Sequence, residues 1–259
     1  MNSDLRSAIV DLICTAKEGH IPSSFSVVDI IAYLYEEILA YKPDFPDWPE
    51  RDYFILSKGH GALALYVVMN KYGLLSAEEL LKYSLPGGVC GGHPEISVPH
   101  VEASTGSLGH GFPTAVGCAL GLRIQNMKNR VFVLLGDGEC HEGTIWEAAN
   151  VAANQHLGNL VAIVDWNKSG SQLMPIDDLP SRWASFGWDV HQVDGHQRDA
   201  ISDVFSCLQY ASTGCPSVII ANTIKGKGVS FLEGHGIWHH RVPSDAEYQK
   251  IMAELQGDR

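Results

Sequence analysis

The sequence carries no Cys-x-x-Cys pair. Its six cysteines, Cys14, Cys90, Cys118, Cys140, Cys207 and Cys215, are scattered along 259 residues. That pattern excludes a zinc ribbon and a thioredoxin-like redox centre and predicts free thiols. Basic blocks are missing too. With 18 Lys and Arg against 30 Asp and Glu, the formal charge is −12. Such a chain has no clustered cations to neutralise a phosphate backbone, so nucleic acid is not expected as a partner. No uninterrupted apolar run reaches the length of a transmembrane helix, so no membrane is expected either. The start, Met1-Asn2-Ser3-Asp4, lacks the basic and apolar stretches of a secretion signal, and the expected location is cytoplasmic. Linkers and internal repeats are absent. One domain over residues 1–259 is expected, long enough for a full α/β core.

What is present alternates. Val131–Leu135 and Leu160–Val164 are short, wholly apolar runs, the pattern of strands buried on both faces. Tyr53–Leu56, Trp188–Val193 and Pro216–Thr223 read as further strands. Helical stretches come between and around them: 3–18, 26–39 with Ser26 as cap, 60–71, 108–125, 141–155, 183–187 and 198–210. Two more begin at Ser76 and Ser244, with Glu79 and Glu247 placed to complete capping boxes. Pro43–Pro49, residues 84–111 and the tail 226–243 read as loops, and the second is long enough to be functional. Strands alternating with helices imply a parallel sheet covered on both faces, a three-layer α/β/α domain.

Ligands of open parallel sheets sit beyond the carboxyl ends of the strands. Two oxygen donors stand there: Asp137 in Gly136-Asp137-Gly138-Glu139, and Asn167 in Asp165-Trp166-Asn167. A lone Gly-Asp-Gly marks a turn and nothing more. Here one strand–helix–strand unit separates acid from amide, so both reach the same end of the sheet. With a backbone carbonyl they suit a hard cation, Mg²⁺ or Ca²⁺, which can grip a diphosphate. The helix expected from His141 would add its positive dipole end. The arrangement predicts a phosphorylated cofactor without naming it.

Histidine is plentiful, with twelve in the chain. His20, His60, His93 and the His239-His240 pair all sit in turns beside Gly, Pro or Trp. Imidazole exchanges protons near neutral pH, so several gathered at one sheet end would suit acid–base work. Zinc is the competing reading, but no predicted helix carries two histidines four residues apart. Taken singly, each is a solvated loop residue. Their joint occurrence beside a diphosphate site favours catalysis.

In combination these motifs resemble transketolase. Gly136-Asp137-Gly138 leading to Asn167 is similar to the thiamine diphosphate signature. Leu56-Ser57-Lys58-Gly59-His60-Gly61, Gly92-His93-Pro94-Glu95, Glu102–Gly111, Trp146-Glu147-Ala148-Ala149, Ser181-Arg182-Trp183, Asp194-Gly195-His196 and Lys225-Gly226-Lys227-Gly228 extend the likeness in order over residues 4–243. The resemblance implies that Asp137, Asn167 and the carbonyl of Ser169 bind the metal. It also implies that Gly138 lies against the diphosphate, and that Gly106 and Leu108 line the aminopyrimidine. His60 and His239 would contact the diphosphate end, His20 and His93 the donor's oxygens. Glu142 would sit at the interface with the other half of the enzyme, supporting the cofactor-activating acid there. Some positions depart from the family pattern. His110 and His141 stand where Gln is usual, and the polar Lys168-Ser169-Gly170-Ser171-Gln172 replaces an apolar segment.

Transketolases join three domains, and this chain is similar to the first. The pyrimidine-binding and C-terminal domains are expected on a separate chain, a C-terminal transketolase-like subunit, giving an α2β2 heterotetramer. The implied activity is transfer of a two-carbon ketol unit from a ketose or ketose phosphate to an aldehyde. One alternative is a thiamine-dependent acyl transferase using a 2-oxo acid, and another is a non-catalytic scaffold.

Overall fold

A computed structural model describes residues 2–172, 174–210, 214–234 and 236–257. One five-stranded sheet organises it: β1 (Tyr53–Leu56), β2 (Val131–Gly136), β3 (Leu160–Trp166), β4 (Asp189–Asp194) and β5 (Ser217–Asn222), in the order β1-β2-β3-β5-β4. Every pairing is parallel, and Gly136 stands opposite Asp165 at the carboxyl ends of β2 and β3. β2 is buried along its whole length, as its unbroken apolar run requires.

The period-2 alternation of the strands divides the core. Phe132, Leu134, Val161, Ile163 and Ile219 face one cluster, and Val131, Val133, Leu135, Ala162 and Ile220 face the other. The first cluster is filled by α1 (Ser3–Ala16), α3 (Val28–Tyr33), α4 (Ala62–Lys71), α9 (Arg198–Cys207) and α10 (Asp245–Gln256). The second is filled by α6 (Gly111–Ile124), α7 (Gly143–Asn154) and α8 (Leu179–Ser185). This is the expected three-layer arrangement. α2 (Ile21–Phe25) and α5 (Ala77–Leu81) are single short turns of helix. Among the described residues no helix is long and apolar enough to cross a membrane.

Several boundaries differ from the sequence expectation. The stretch 26–39 is not one helix capped by Ser26. α2 starts at Ile21 with Pro22 in its first turn, where a missing N–H costs nothing. Ser26 closes α2 instead, and α3 then runs into a wider π-turn over Leu34–Ile38. The expected helices at 60, 108 and 141 begin at Ala62, Gly111 and Gly143, and tight 3-10 turns over Gly59–Gly61 and Gly138–His141 precede the first and last. α8 starts four residues early because Asp178 caps it, accepting the Ser181 N–H at 3.1 Å. α1 and α9 stop at Ala16 and Cys207, and Trp188 precedes β4. The Ser244–Glu247 capping box forms in full. At Ser76 only the hydroxyl half forms, accepting the Glu79 N–H.

Trp183 of α8 is fully buried and packs against Trp188, Trp146 and Phe112 with ring centroids 4.9, 5.3 and 5.6 Å away. Trp183→Ala should cost about 3–5 kcal/mol, read as a lower urea midpoint at unchanged m-value. A loss below about 1 kcal/mol would show that this layer is not cooperative with the sheet.

Candidate active site

A cleft of about 370 Å³ opens beyond the carboxyl ends of β2 and β3. Beneath it lies a buried polar knot. Asp165, at the end of β3, is fully buried and accepts from Lys58 Nζ at 2.5 Å, Ser26 Oγ at 2.7 Å and Asn167 Nδ2 at 2.9 Å on one oxygen. Thr223 Oγ1 donates to the other. Lys58 is only 1% exposed, so neither charge has water to fall back on, and each needs the other.

The knot sets the direction of Asn167. Its Nδ2 is committed to Asp165, so Oδ1 must face away, where it accepts the Ser169 N–H at 2.9 Å and keeps a second lone pair. Asp137 stands opposite. Its two oxygens accept the Gly138 N–H at 2.8 Å and the Gly170 N–H at 3.1 Å. Burial, and then the charge of Asp165, raise the Asp137 carboxyl above its ordinary range. A carboxylate held this way is under-compensated, and a cation would offset that. Both residues line the cleft with Ser169. Among the described residues no three His, Cys, Asp or Glu side chains converge on a metal site. A cation here must therefore draw on the Asn167 amide and a backbone carbonyl as well as Asp137. An all-oxygen set of that kind fits Mg²⁺ or Ca²⁺.

Gly138 and Gly170 form the floor beside Asp137. A Cβ on Gly170 would lie 2.7 Å from the Gly138 Cα, so the two backbones meet only because both lack side chains. The 3-10 turn Gly138–His141, not the N-terminus of α7, lines the cleft. α7 starts beyond it, with Thr144 Oγ1 donating to the Gly109 carbonyl at 2.7 Å.

Five histidine rings lie close together. His20 lies with ring centroids 5.6 Å from His60, 6.4 Å from His93, 5.3 Å from His239 and 4.5 Å from His240. They come from the start of α2, the turn after β1, the long loop and the tail. Burial, with the neighbouring imidazoles, lowers His20 to about 3, and burial with Lys58 lowers His60 to about 2. Both are neutral at pH 7 and act as hydrogen-bonding groups rather than cations. His60 and His239 line the cleft, His20 packs beside both, and His93 packs beside His20. Gly106 has φ +146° and packs under the His93 ring, 3.1 Å from where a Cβ would sit, and Leu108 forms an apolar wall. Glu142 lies outside the cleft, exposed and against Gly109. His235, also in the tail, falls outside the described residues.

Three residues here carried no sequence assignment. Lys225 reaches the cleft, with Nζ 3.1 Å from His239 Nδ1, and burial and the Lys58 charge lower its pKa. Glu139 is buried and accepts from Ser57 Oγ at 2.5 Å, the Gly109 N–H at 2.9 Å and the Gly136 N–H at 3.1 Å, tying three segments at the cleft wall. His141 lines the cleft with a buried Nε2 that has no hydrogen-bond partner. Their signal was adjacency to motifs already noted. What each does depends on the segment it meets.

Two outcomes are expected. Lys58→Met leaves the Asp165 carboxylate buried without its cation and should cost about 3–5 kcal/mol in urea unfolding. His60 has a folded pKa below its unfolded one, so its contribution is present above about pH 6.5 and is lost as pH falls toward 2. Between pH 7 and 4.5, a His60→Asn chain should therefore lose roughly 1–3 kcal/mol less stability than the parent. Equal losses would contradict a neutral His60.

The thiamine diphosphate-binding domain of transketolase matches residues 1–255 of this chain. An apulose-4-phosphate transketolase subunit of Phocaeicola vulgatus is 39% identical over 256 residues, covering 96% of this chain and 90% of the relative. A 6-deoxy-6-sulfo-D-fructose transketolase subunit of a Clostridium species is 38% identical, covering 93% of this chain and 89% of the relative. Among solved structures, transketolase from Leishmania mexicana superposes with a TM-score of 0.91 at 26% identity, covering 98% of this chain and 40% of that one. That of Campylobacter jejuni gives 0.89 at 29%, covering 97% and 41%. The chain thus spans about two fifths of those longer transketolases and nearly the whole of the subunit relatives. It belongs to the transketolase family and has the family's thiamine diphosphate-binding domain.

Proposed function

We propose that this chain is the diphosphate-binding half of a split transketolase. It would work with Mg²⁺ or Ca²⁺ and a second subunit that carries the pyrimidine-binding and C-terminal domains. The observation that carries the reading is the pairing of an oxygen-only cation site at Asp137 and Asn167 with the histidine ring around His20, at one end of one sheet. Relatives of nearly the same length are themselves named as transketolase subunits, which supports a partner chain. Two copies of each would form an α2β2 assembly with Glu142 at the contact between unlike subunits.

Bound thiamine diphosphate would supply the carbanion chemistry that cleaves a ketose C2–C3 bond and passes the two-carbon unit to an aldehyde. The chain's own residues would bind and orient. Asp137, the Asn167 amide oxygen and the Ser169 carbonyl would hold the cation. Lys225, His60, His239 and the backbone at Gly138 would face the diphosphate, and Gly106 and Leu108 would shape the wall against the ring system. His20 and His93 would exchange hydrogen bonds with the donor's hydroxyl and carbonyl oxygens and hold protons there. Hydrogen-bonding imidazoles of that kind suit a polyhydroxylated donor, and Lys225, the cation beside His239, is assigned here to the diphosphate rather than to a donor carboxylate.

Co-expression with the partner subunit is the test. The assembled pair should bind thiamine diphosphate in magnesium buffer by calorimetry and transfer ketol units without releasing carbon dioxide, while the isolated chain shows no turnover. No cofactor uptake by the pair would overturn the reading. Carbon dioxide release from a 2-oxo acid would move it to acyl transfer.

A further inference from the structure

Behind the loop that carries Lys225, three buried side chains from distant parts of the sequence meet. Arg6 of α1 is fully buried and grips Asp29 of α3 with two prongs: Nη1 donates to Oδ1 at 3.0 Å and Nη2 to Oδ2 at 2.6 Å. His196, just past β4, has its side chain 6% exposed and places Nδ1 3.0 Å from Asp29 Oδ2. Its Nε2 accepts the Ile224 N–H at 2.9 Å. A ring nitrogen that accepts is unprotonated, so the imidazole proton sits on Nδ1 and is donated to Asp29. The partners therefore settle the tautomer.

The same cluster holds the loop from its other side. Arg6 Nε donates to the Lys227 carbonyl at 2.8 Å, and the Gly226 N–H donates to the Pro22 carbonyl at 3.1 Å. Residues 224, 226 and 227 are each tied down, and Lys225 between them projects into the cleft. A buried ion pair is a poor source of net stability, because desolvation offsets most of its attraction. Packing alone could be met by apolar side chains. Donating to one loop carbonyl while orienting an acceptor for a loop N–H could not.

We propose that Asp29 and His196, anchored by Arg6, are positioning residues that fix the aim of Lys225 at the bound diphosphate. This rests on Lys225 facing the diphosphate, as proposed for the cleft. A lysine on an untethered loop would lose more freedom on binding, and the tether removes that cost in advance.

The test is a mutant cycle on the assembled two-subunit enzyme, with thiamine diphosphate affinity read by calorimetry at fixed magnesium. His196→Asn keeps a donor for Asp29 and loses the acceptor for Ile224. It should weaken cofactor binding roughly 5- to 10-fold, with kcat at saturating cofactor within about twofold of the parent. His196→Gln, whose amide oxygen can reach the Nε2 position, should recover most of that loss. In a Lys225→Met background, His196→Asn should weaken binding no further. Additive losses in the double variant, or equal losses in the Asn and Gln variants, would overturn the proposal. Unchanged affinity in Lys225→Met alone would overturn the role of Lys225 itself, and the proposal with it.

Discussion

The buried pair of Lys58 and Asp165 is the interaction on which the rest of the site depends. Asp165 is the next-to-last residue of β3 and Lys58 follows β1, so their contact reaches across the intervening β2. Ser26, Thr223 and Asn167 bring α2, the loop after β5 and the turn after β3 to the same carboxylate. Four donors, three of them from distant segments, thus share one carboxylate. An acceptor of this kind cannot be left half satisfied in a low-dielectric interior, because each missing donor costs more there than in water. The demand to saturate Asp165 therefore specifies the ends of the elements that form the cleft.

From that knot the chemistry follows outward. Asn167 is turned so that its nitrogen meets Asp165 and its oxygen is offered to the Ser169 backbone. Asp137 is buried among backbone N–H groups that do not fully offset its charge. The polar segment after Asn167 departs from the family pattern in side chain, yet the Gly170 N–H within it reaches Asp137 and joins the β2 and β3 sides of the cleft. A floor of two apposed glycines and a rim of clustered imidazoles complete the cleft.

Much of this was legible in one dimension. The apolar runs at Val131 and Leu160 declared buried parallel strands, because only a sheet covered on both faces tolerates them. Asp137, Asn167 and His60 follow strand ends, where open sheets place ligands, and the other histidines sit in loops beside Gly, Pro or Trp. The errors fell at element boundaries, most of them at helix starts. Ser26 has a cap's side chain, but its hydroxyl is drawn to Asp165, 139 residues away, and a long-range acceptor outcompeted the local one. The 3-10 turns at Gly59 and Gly138 look in sequence like the first turns of longer helices, since hydrophobic period does not distinguish the two over three or four residues.

By itself, then, the sequence determined the class of fold, the family and the set of oxygen and imidazole groups that could meet at one sheet end. All of these depend on local pattern: period, punctuation and motif order. Only the tertiary structure decided which face of Asn167 points outward, that Glu139 serves as a staple, that Lys225 belongs to the cleft, and that Arg6 and His196 tie down its loop. Those outcomes depend on pairings between residues far apart in sequence, such as Arg6 with Lys227, and a hydrogen bond's direction exists only once both partners have a place in space.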